Sequence, residues 1–344
     1  ADAIDPAQTD DNYPQKLFQA LTYTGNGSNS REITTKFNPD AFWFKQLTTR
    51  QWFITSKKRG IGATTYYDWF QGTDHDGYQG GSYKGVISTT STSMTIGAVD
   101  YVNANNGSYV VSLFNYGNTE STNNDGNLES TIYANAGAGM SHGSYTGTGA
   151  TKTVGHGLGA VPSFIITRKT SANSNWAVYY GDNTDALLIN SGAGTTDNNF
   201  WADTTPSSSV FTVGNHADTG AAASYIFWAF ANTEGFIKSD IFTGNSSTDG
   251  AYIYLGFKPS LLIIKRATGS ESWFMMDDAR DPTNVVEGVL QMNGSNGESR
   301  TDYDVCDFLS NGFKMRINNV GFNATETYVY LAIGSNPFKY SLAQ

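Results

Sequence analysis

The sequence holds a single cysteine, Cys306, among its 344 residues. That excludes an internal disulfide framework and any zinc site built on cysteine. Proline is scarce, at 8 residues, and charged residues make up only 15%, against roughly 25% in an ordinary soluble domain. Positive charge is the scarcer sign: 21 Lys and Arg face 31 Asp and Glu, for a net charge of −10. Nucleic-acid binding needs a basic footprint that this balance does not supply. Long apolar runs are missing as well. The longest, Tyr225 to Ala231, falls far short of the roughly 18 residues of a helical bilayer span. Residues Ala1-Asp2-Ala3-Ile4-Asp5-Pro6 lack the basic and apolar stretches of a signal peptide, so the expectation is that none existed or that it has been removed.

Aromatics, in contrast, reach 14%, with 37 glycines and many Ser, Thr and Asn. That mixture is too aromatic for a disordered chain and too poor in Lys, Glu and Leu for a helical one. It is also repetitive. Tyr23-Thr24-Gly25-Asn26-Gly27, Tyr145-Thr146-Gly147-Thr148-Gly149 and Phe242-Thr243-Gly244-Asn245-Ser246 open three segments. Each then reaches a proline followed by an apolar run: Pro39 before Ala41–Lys45, Pro162 before Phe164–Arg168, Pro259 before Leu261–Lys265. A tryptophan follows the proline by 13 or 14 residues, at Trp52, Trp176 and Trp273. Seven residues on stands Arg59 in the first unit and Arg280 in the third, with Asn183 in the second. A short β-type segment and a closing aromatic strand complete each unit. Landmarks repeated in one order identify tandem structural units.

The apolar runs are short, rich in β-branched and aromatic residues, and bounded by Gly, Pro, Asn and Asp, which is the pattern of strands. No segment shows a sustained helical period, and Gln15–Leu21 has room for one helical turn. Tyr225–Phe230 is apolar on both alternating faces, as in a strand covered on both sides, whereas Ser91–Ile96 alternates as a half-exposed strand would. The predicted fold class is all-β: three tandem β-sandwich-like repeat domains with a short N-terminal arm. The expected boundaries are residues 1–20 for the arm, 21–115 for repeat 1, 116–142 for a polar linker, 143–233 for repeat 2 and 239–340 for repeat 3. The arm is either a disordered terminus or a segment that orders on a neighbouring chain.

Catalytic patterns are sparse. The histidines, His75, His142, His156 and His216, form no metal-ligand spacing, and there is no G-x-S-x-G elbow. Gly155-His156-Gly157-Leu158-Gly159 lacks the Lys-Ser/Thr and the helix of a phosphate loop. Asp74-His75-Asp76 and the Asn123–Asn127 segment could offer oxygens to calcium, but neither matches the twelve-residue calcium loop, and Asx turns explain both. Asp277-Asp278-Ala279-Arg280-Asp281 offers carboxylates of the kind a glycosidase pairs. Its arginine recurs in the first unit without them, which favours a structural role for Arg59 and Arg280. No catalytic residue, cofactor or metal ligand is therefore assigned. The repeated Trp52, Trp176 and Trp273 and the prolines Pro39, Pro162 and Pro259 read as structural. Aromatics outside the repeat are the better contact candidates, because the scaffold does not require them: Tyr66, Tyr67 and Trp69 in one segment, Phe200 and Trp201 in another.

The motifs "YTGNGS" (23–28), "TVGHGLGAVPSFII" (153–166), "GFKPSLLIIKR" (256–266), "DFLSNGFKMR" (307–316) and "NPFKY" (336–340) resemble a β-rich repeat family of tail-fibre and virion surface proteins of tailed, often marine, bacteriophages. The resemblance covers roughly residues 21–340 and is stronger in the second and third units. It implies a virion structural protein at the particle surface, a tail fibre or short appendage, that recognises host surface glycan without catalysis. It implies other virion proteins (a tail adaptor, nozzle or capsid) as partners through the N-terminal arm, and a homo-oligomer, often a trimer. Neither nucleic acid nor membrane insertion is expected. The short stretch before the first repeat favours an appendage over a long fibre. The alternatives are a capsid decoration or head-fibre protein, a virion-borne polysaccharide depolymerase, and a secreted carbohydrate-binding protein.

Overall fold

A computed structural model describes residues 13–62, 64–73, 77–80, 85–300 and 304–335. Most of the expected N-terminal arm lies outside these residues, as do His75 with its flanking aspartates and the closing 336–340 motif.

The runs that follow the prolines form the strands Ala41–Gln46, Pro162–Lys169 and Leu261–Arg266. Each pairs on one side with a strand of the tryptophan segment: Phe53–Ser56, Trp176–Tyr179 or Trp273–Asp277. On the other side it pairs with the closing aromatic strand: Ser108–Phe114, Ser224–Ala231 or Thr327–Ile333. The closing strand then pairs with the unit's first strand: Phe18–Thr24, Met140–Thr146 or Ile237–Thr243. All these pairs are antiparallel, and the order is the same in every unit. A smaller sheet covers one face of each large sheet. In unit 1 it contains Arg31–Thr34, Ser93–Ile96 and Val86–Thr89; in unit 2, Lys152–Gly155 and Val210–Val213; in unit 3, Tyr252–Tyr254, Gly312–Met315 and Cys306–Leu309. The chain is all-β, built from three β-sandwich-like units in series.

The closing strands explain why their sequences are apolar on both faces. Tyr225, Phe227 and Ala229 point into the interior of unit 2, between its two sheets. Ile226, Trp228 and Phe230 point the other way, into a cluster that also holds Trp43 and Phe114 of unit 1 and Leu261 and Ile263 of unit 3. Val329, Leu331 and Ile333 of the third closing strand join the same cluster, while Tyr328 and Tyr330 fill the interior of unit 3. The two central strands of each large sheet are thus buried on both faces. One face makes its own sandwich and the other contributes to a core shared by all three units.

Two boundaries differ from the sequence expectation. Residues 116–142, expected as a linker, hold the strands Glu120–Asn123 and Ser130–Asn135 and the start of Met140–Thr146. They widen the large sheet of unit 2 to eight strands. Glu120–Asn123 is an edge strand with little buried surface, so its sequence is polar and carries no apolar alternation. Unit 1 begins at Phe18, the first residue of a strand, preceded by a single 3₁₀ turn, Pro14–Lys16. The helical turn expected over 15–21 is reduced to that turn.

Candidate functional site

The units are joined by a contact used three times. Trp52, Trp176 and Trp273 are buried, and each indole N–H donates to a carbonyl of another unit. Trp52 reaches Gln291 of unit 3 at 2.9 Å, Trp176 reaches Trp69 of unit 1 at 2.9 Å, and Trp273 reaches Leu188 of unit 2 at 2.8 Å. The three contacts run in one direction and close a ring. A buried cation accompanies each, six residues after the shared proline. Lys45 Nζ donates to Ser295 O of unit 3, Lys265 Nζ to Gly192 O of unit 2, and the Arg168 guanidinium to Thr73 O of unit 1. Burial pushes the Lys45 and Lys265 amines down to about 8. Arg168 instead has a counterion, Asp68 of unit 1, at 3.6 Å, and Asp68 also pairs with Arg59 at 2.9 Å. Sequence reasoning missed this cationic triplet, although its constant offset from Pro39, Pro162 and Pro259 was there to be read.

The shared core ends in a cleft at the junction of units 1 and 2. The tryptophans and phenylalanines of the sheet give way there to hydroxyls: Thr131, Ser144, Thr146 and Ser224 line it, with Lys58 and Arg59 leaning in from the turn after Phe53–Ser56. Its volume is about 450 Å³. Lys58 Nζ donates to Thr131 Oγ1 at 2.7 Å and pairs with Glu120. Thr131 and Ser144 share a hydrogen bond of 3.0 Å. Tyr66 is not part of the lining but packs against it, with the Arg59 guanidinium 5.8 Å from its ring. Deeper in the same junction, His142 is fully buried and stacked on Trp228, with Nε2 2.7 Å from Ser56 Oγ and Nδ1 2.7 Å from Phe227 O. Burial pushes its imidazole down to about 3, so it is neutral at ordinary pH.

The corresponding place between units 2 and 3 is also a cleft, of about 370 Å³. Asp182 and Asn183 stand there where Lys58 and Arg59 stand in the first, and Ile241 stands at the register position of Ser144. Asp182 accepts hydrogen bonds from the Thr184 hydroxyl and from the Thr184 and Asp185 amides. Those bonds outweigh its partial burial and hold its carboxyl below the usual range. The second cleft is therefore acidic and partly apolar, where the first is hydroxyl-rich and carries Lys58, Arg59 and Glu129.

The aromatic contact candidates separate. Tyr66 is 39% exposed and Trp69 half-buried. Tyr67 is buried in the interior of unit 1, and Phe200 and Trp201 in that of unit 2. The last three are core residues and present no face to a ligand, which corrects the expectation that they contact glycan. They sit in segments that differ between units, but those segments fold back to fill the sandwiches. Pro39, Pro162 and Pro259 are all buried where their strands begin. Arg280 is buried in ion pairs with Asp277 (2.6 Å) and Glu298 (2.9 Å), and Arg300 neutralises Asp281 at 2.6 Å. Of that acidic run, Asp278 has a carboxyl pushed up to about 6, chiefly by burial. Asn183, in place of an arginine, donates to Asp203 O and Thr205 Oγ1. His156 is buried, with Nδ1 accepting from the Leu158 amide. Among the described residues no group of three or more His, Cys, Asp or Glu could hold a metal ion, and no helix is long and apolar enough to cross a membrane.

The fold and this geometry define a class: a three-unit β protein whose conspicuous polar surfaces are the clefts between units. Residues 13–337 match a family model described as Domain of unknown function (DUF7483), and the chain belongs to that family. No curated protein matches the chain.

Proposed function

We propose that the protein is a non-catalytic surface component of a tailed-bacteriophage particle that recognises host glycan, with the cleft between units 1 and 2 as the contact site. The observation that carries the glycan reading is the change of lining at the end of the shared core. Six serines and threonines, an ammonium, a guanidinium and the Glu129 carboxylate line a concave site, and exposed Tyr66 packs against its Arg59. Such a site offers donors and acceptors to sugar hydroxyls and an aromatic face to a sugar ring. The motif resemblance supports the particle location. Several copies on one particle turn weak saccharide contacts into useful avidity.

The test is binding of purified protein to polysaccharides from host surfaces, with Ser144→Leu as the cleft variant. Saturable binding weakened about tenfold by Ser144→Leu supports the reading, and binding unaffected by it overturns the cleft as the site. Release of reducing ends from the same polysaccharides makes the protein a depolymerase instead. Immunogold labelling of intact particles tests location: gold at the distal tail supports host recognition, gold over the head replaces it with decoration, and unlabelled particles remove the virion reading.

A further inference from the structure

Unit 3 carries a surface that its two sister units lack. Tyr252 and Tyr254 lie on the strand Tyr252–Tyr254, at the edge of the small sheet, and are 47% and 60% exposed. Two residues apart on a strand, they stand on one face about 7 Å from each other. Ile253 between them points inward, into the core of unit 3. The three small sheets share a register that identifies the corresponding residues. Ile253 pairs with Phe313, Ile33 with Met94 and Val154 with Phe211. The positions of Tyr252 and Tyr254 are therefore Glu32 and Thr34 in unit 1, and Thr153 and Gly155 in unit 2. Three copies of one scaffold act as an internal control. The inward isoleucine or valine is kept because the core needs it, and the outward tyrosines are dispensable to the fold.

The groups around the rings identify what they suit. Lys238 sits 5.7 Å from the Tyr254 ring and donates to Tyr254 O at 2.9 Å. Lys314, directly across from Tyr252, pairs with Asp249, whose side chain is 82% exposed. Gly312, opposite Tyr254, adds no side chain beside that ring. A protein-docking patch is centred on contiguous apolar surface that dries on contact. Here two phenols are interleaved with an ammonium, a carboxylate and a second ammonium. A pyranose has the matching pattern, with a C–H face that packs on an aromatic ring and a rim of hydroxyls that hydrogen-bond to charged groups.

We infer that Tyr252 and Tyr254, flanked by Lys238, Lys314 and Asp249, form a second saccharide-stacking platform on the outer sheet of unit 3. The inference rests on the glycan-recognition reading and adds a separate site to it. The platform belongs to a different unit from the cleft and shares no residue with it.

The experiment compares the whole protein, a Tyr252→Ala/Tyr254→Ala double variant and the Ser144→Leu cleft variant. The probes are a panel of bacterial O-antigens and capsular polysaccharides, with chitohexaose as a neutral reference. Affinity is read by titration calorimetry and contact by the Tyr252 and Tyr254 ring proton signals. Because both rings are exposed, the double variant should melt within a degree or two of the parent. The expected result is at least a tenfold loss of affinity in the double variant, with those ring signals shifting in the parent on titration. Unchanged affinity in the double variant, with loss in Ser144→Leu, overturns the platform and leaves the cleft standing. No binding by the parent to any probe overturns both. A concentration-dependent dimer of the parent that the double variant abolishes, without saccharide binding, reassigns the patch to a protein contact.

Discussion

The junction between units 1 and 2 and that between units 2 and 3 use the same strands, the same turn and the same buried tryptophan, yet they end in opposite chemistry. The first closes its dry core with hydroxyls, two cations and Glu129. The second closes with Asp182, Asp240 and Ile241. The inner parts are constrained by packing and stay alike, as Trp176 and Trp273 show with near-identical hydrogen bonds. The outer ends make no demand on the fold and have diverged. In a protein that repeats itself, function is therefore better sought at exposed positions where the copies differ.

The comparison breaks most severely at the tryptophans. Trp176→Ala and Trp273→Ala each leave a large cavity and an unpaired carbonyl, with an expected loss of about 3–5 kcal/mol. Trp176 also stacks on Trp228 at 5.6 Å and lies 5.2 Å from the Arg168 guanidinium, so its loss should be the greater in denaturant unfolding. A loss below about 1 kcal/mol for either would contradict a closed ring.

Acid should separate the junctions next. His142 belongs only to the first; the same register position in unit 3 is Ser239. Its folded pKa of about 3 lies below the ordinary 6.5. As pH falls from about 6.5 towards 3, the unfolded chain takes up the proton first, and stability declines across that window. The upper bound of this contribution is roughly 5 kcal/mol. His142→Gln should flatten the pH profile between 3 and 6.5 when compared with the parent by thermal melting. The buried amines act at the other end of the scale. Lys45 and Lys265, held near 8 against an ordinary 10.5, lose their protons in the folded state first, so stability gains a contribution as pH rises from about 8 to 10.5. Lys45→Met and Lys265→Met should each remove part of that rise.

A smaller effect sharpens the contrast between the clefts. Lys58→Ala should weaken polysaccharide binding three- to tenfold, while Asp182→Asn, at the matching position, should leave it within twofold. Equal effects would show that the binding surface spans both junctions. The smallest change is expected from Glu120→Gln. That ion pair with Lys58 sits at the surface, and its removal should cost no more than about 1 kcal/mol.

Much of the fold is legible in the sequence because local constraints write it. Pro39, Pro162 and Pro259 mark where strands start, and the two-faced apolar run at Tyr225–Ala231 signals a strand covered on both sides. The ring is not legible. Trp52 and Trp176 look alike whether they pack within a unit or against another, since both environments are apolar. The strand Glu120–Asn123 was hidden by its exposure, which lets it be polar throughout. Tyr67, Phe200 and Trp201 read as contact residues because their segments vary, yet variable segments here supply core. Arg59 and Arg280 share a spacing from tryptophan, but their partners, Asp68 and Asp277 with Glu298, come from different places in their units. Tyr252-Ile253-Tyr254 did carry a signal, in the alternation of exposed and inward residues, that only the register of the sister units makes meaningful.

Each unit begins and ends side by side: Phe18 lies opposite Phe114, Met140 opposite Phe230 and Ile237 opposite Ile333. The chain passes from Ala231 to Ile237 with only residues 232–236 between them. The three indole contacts relate the units cyclically, so the step from Ile333 back to Phe18 is expected to match that one. Nothing in the three indole contacts singles out which unit comes first along the chain. A circular permutant that joins 333 to 18 with about five residues and opens the chain within 232–236 is expected to reach the same fold, because the covalent path carries none of the information that the three indoles encode.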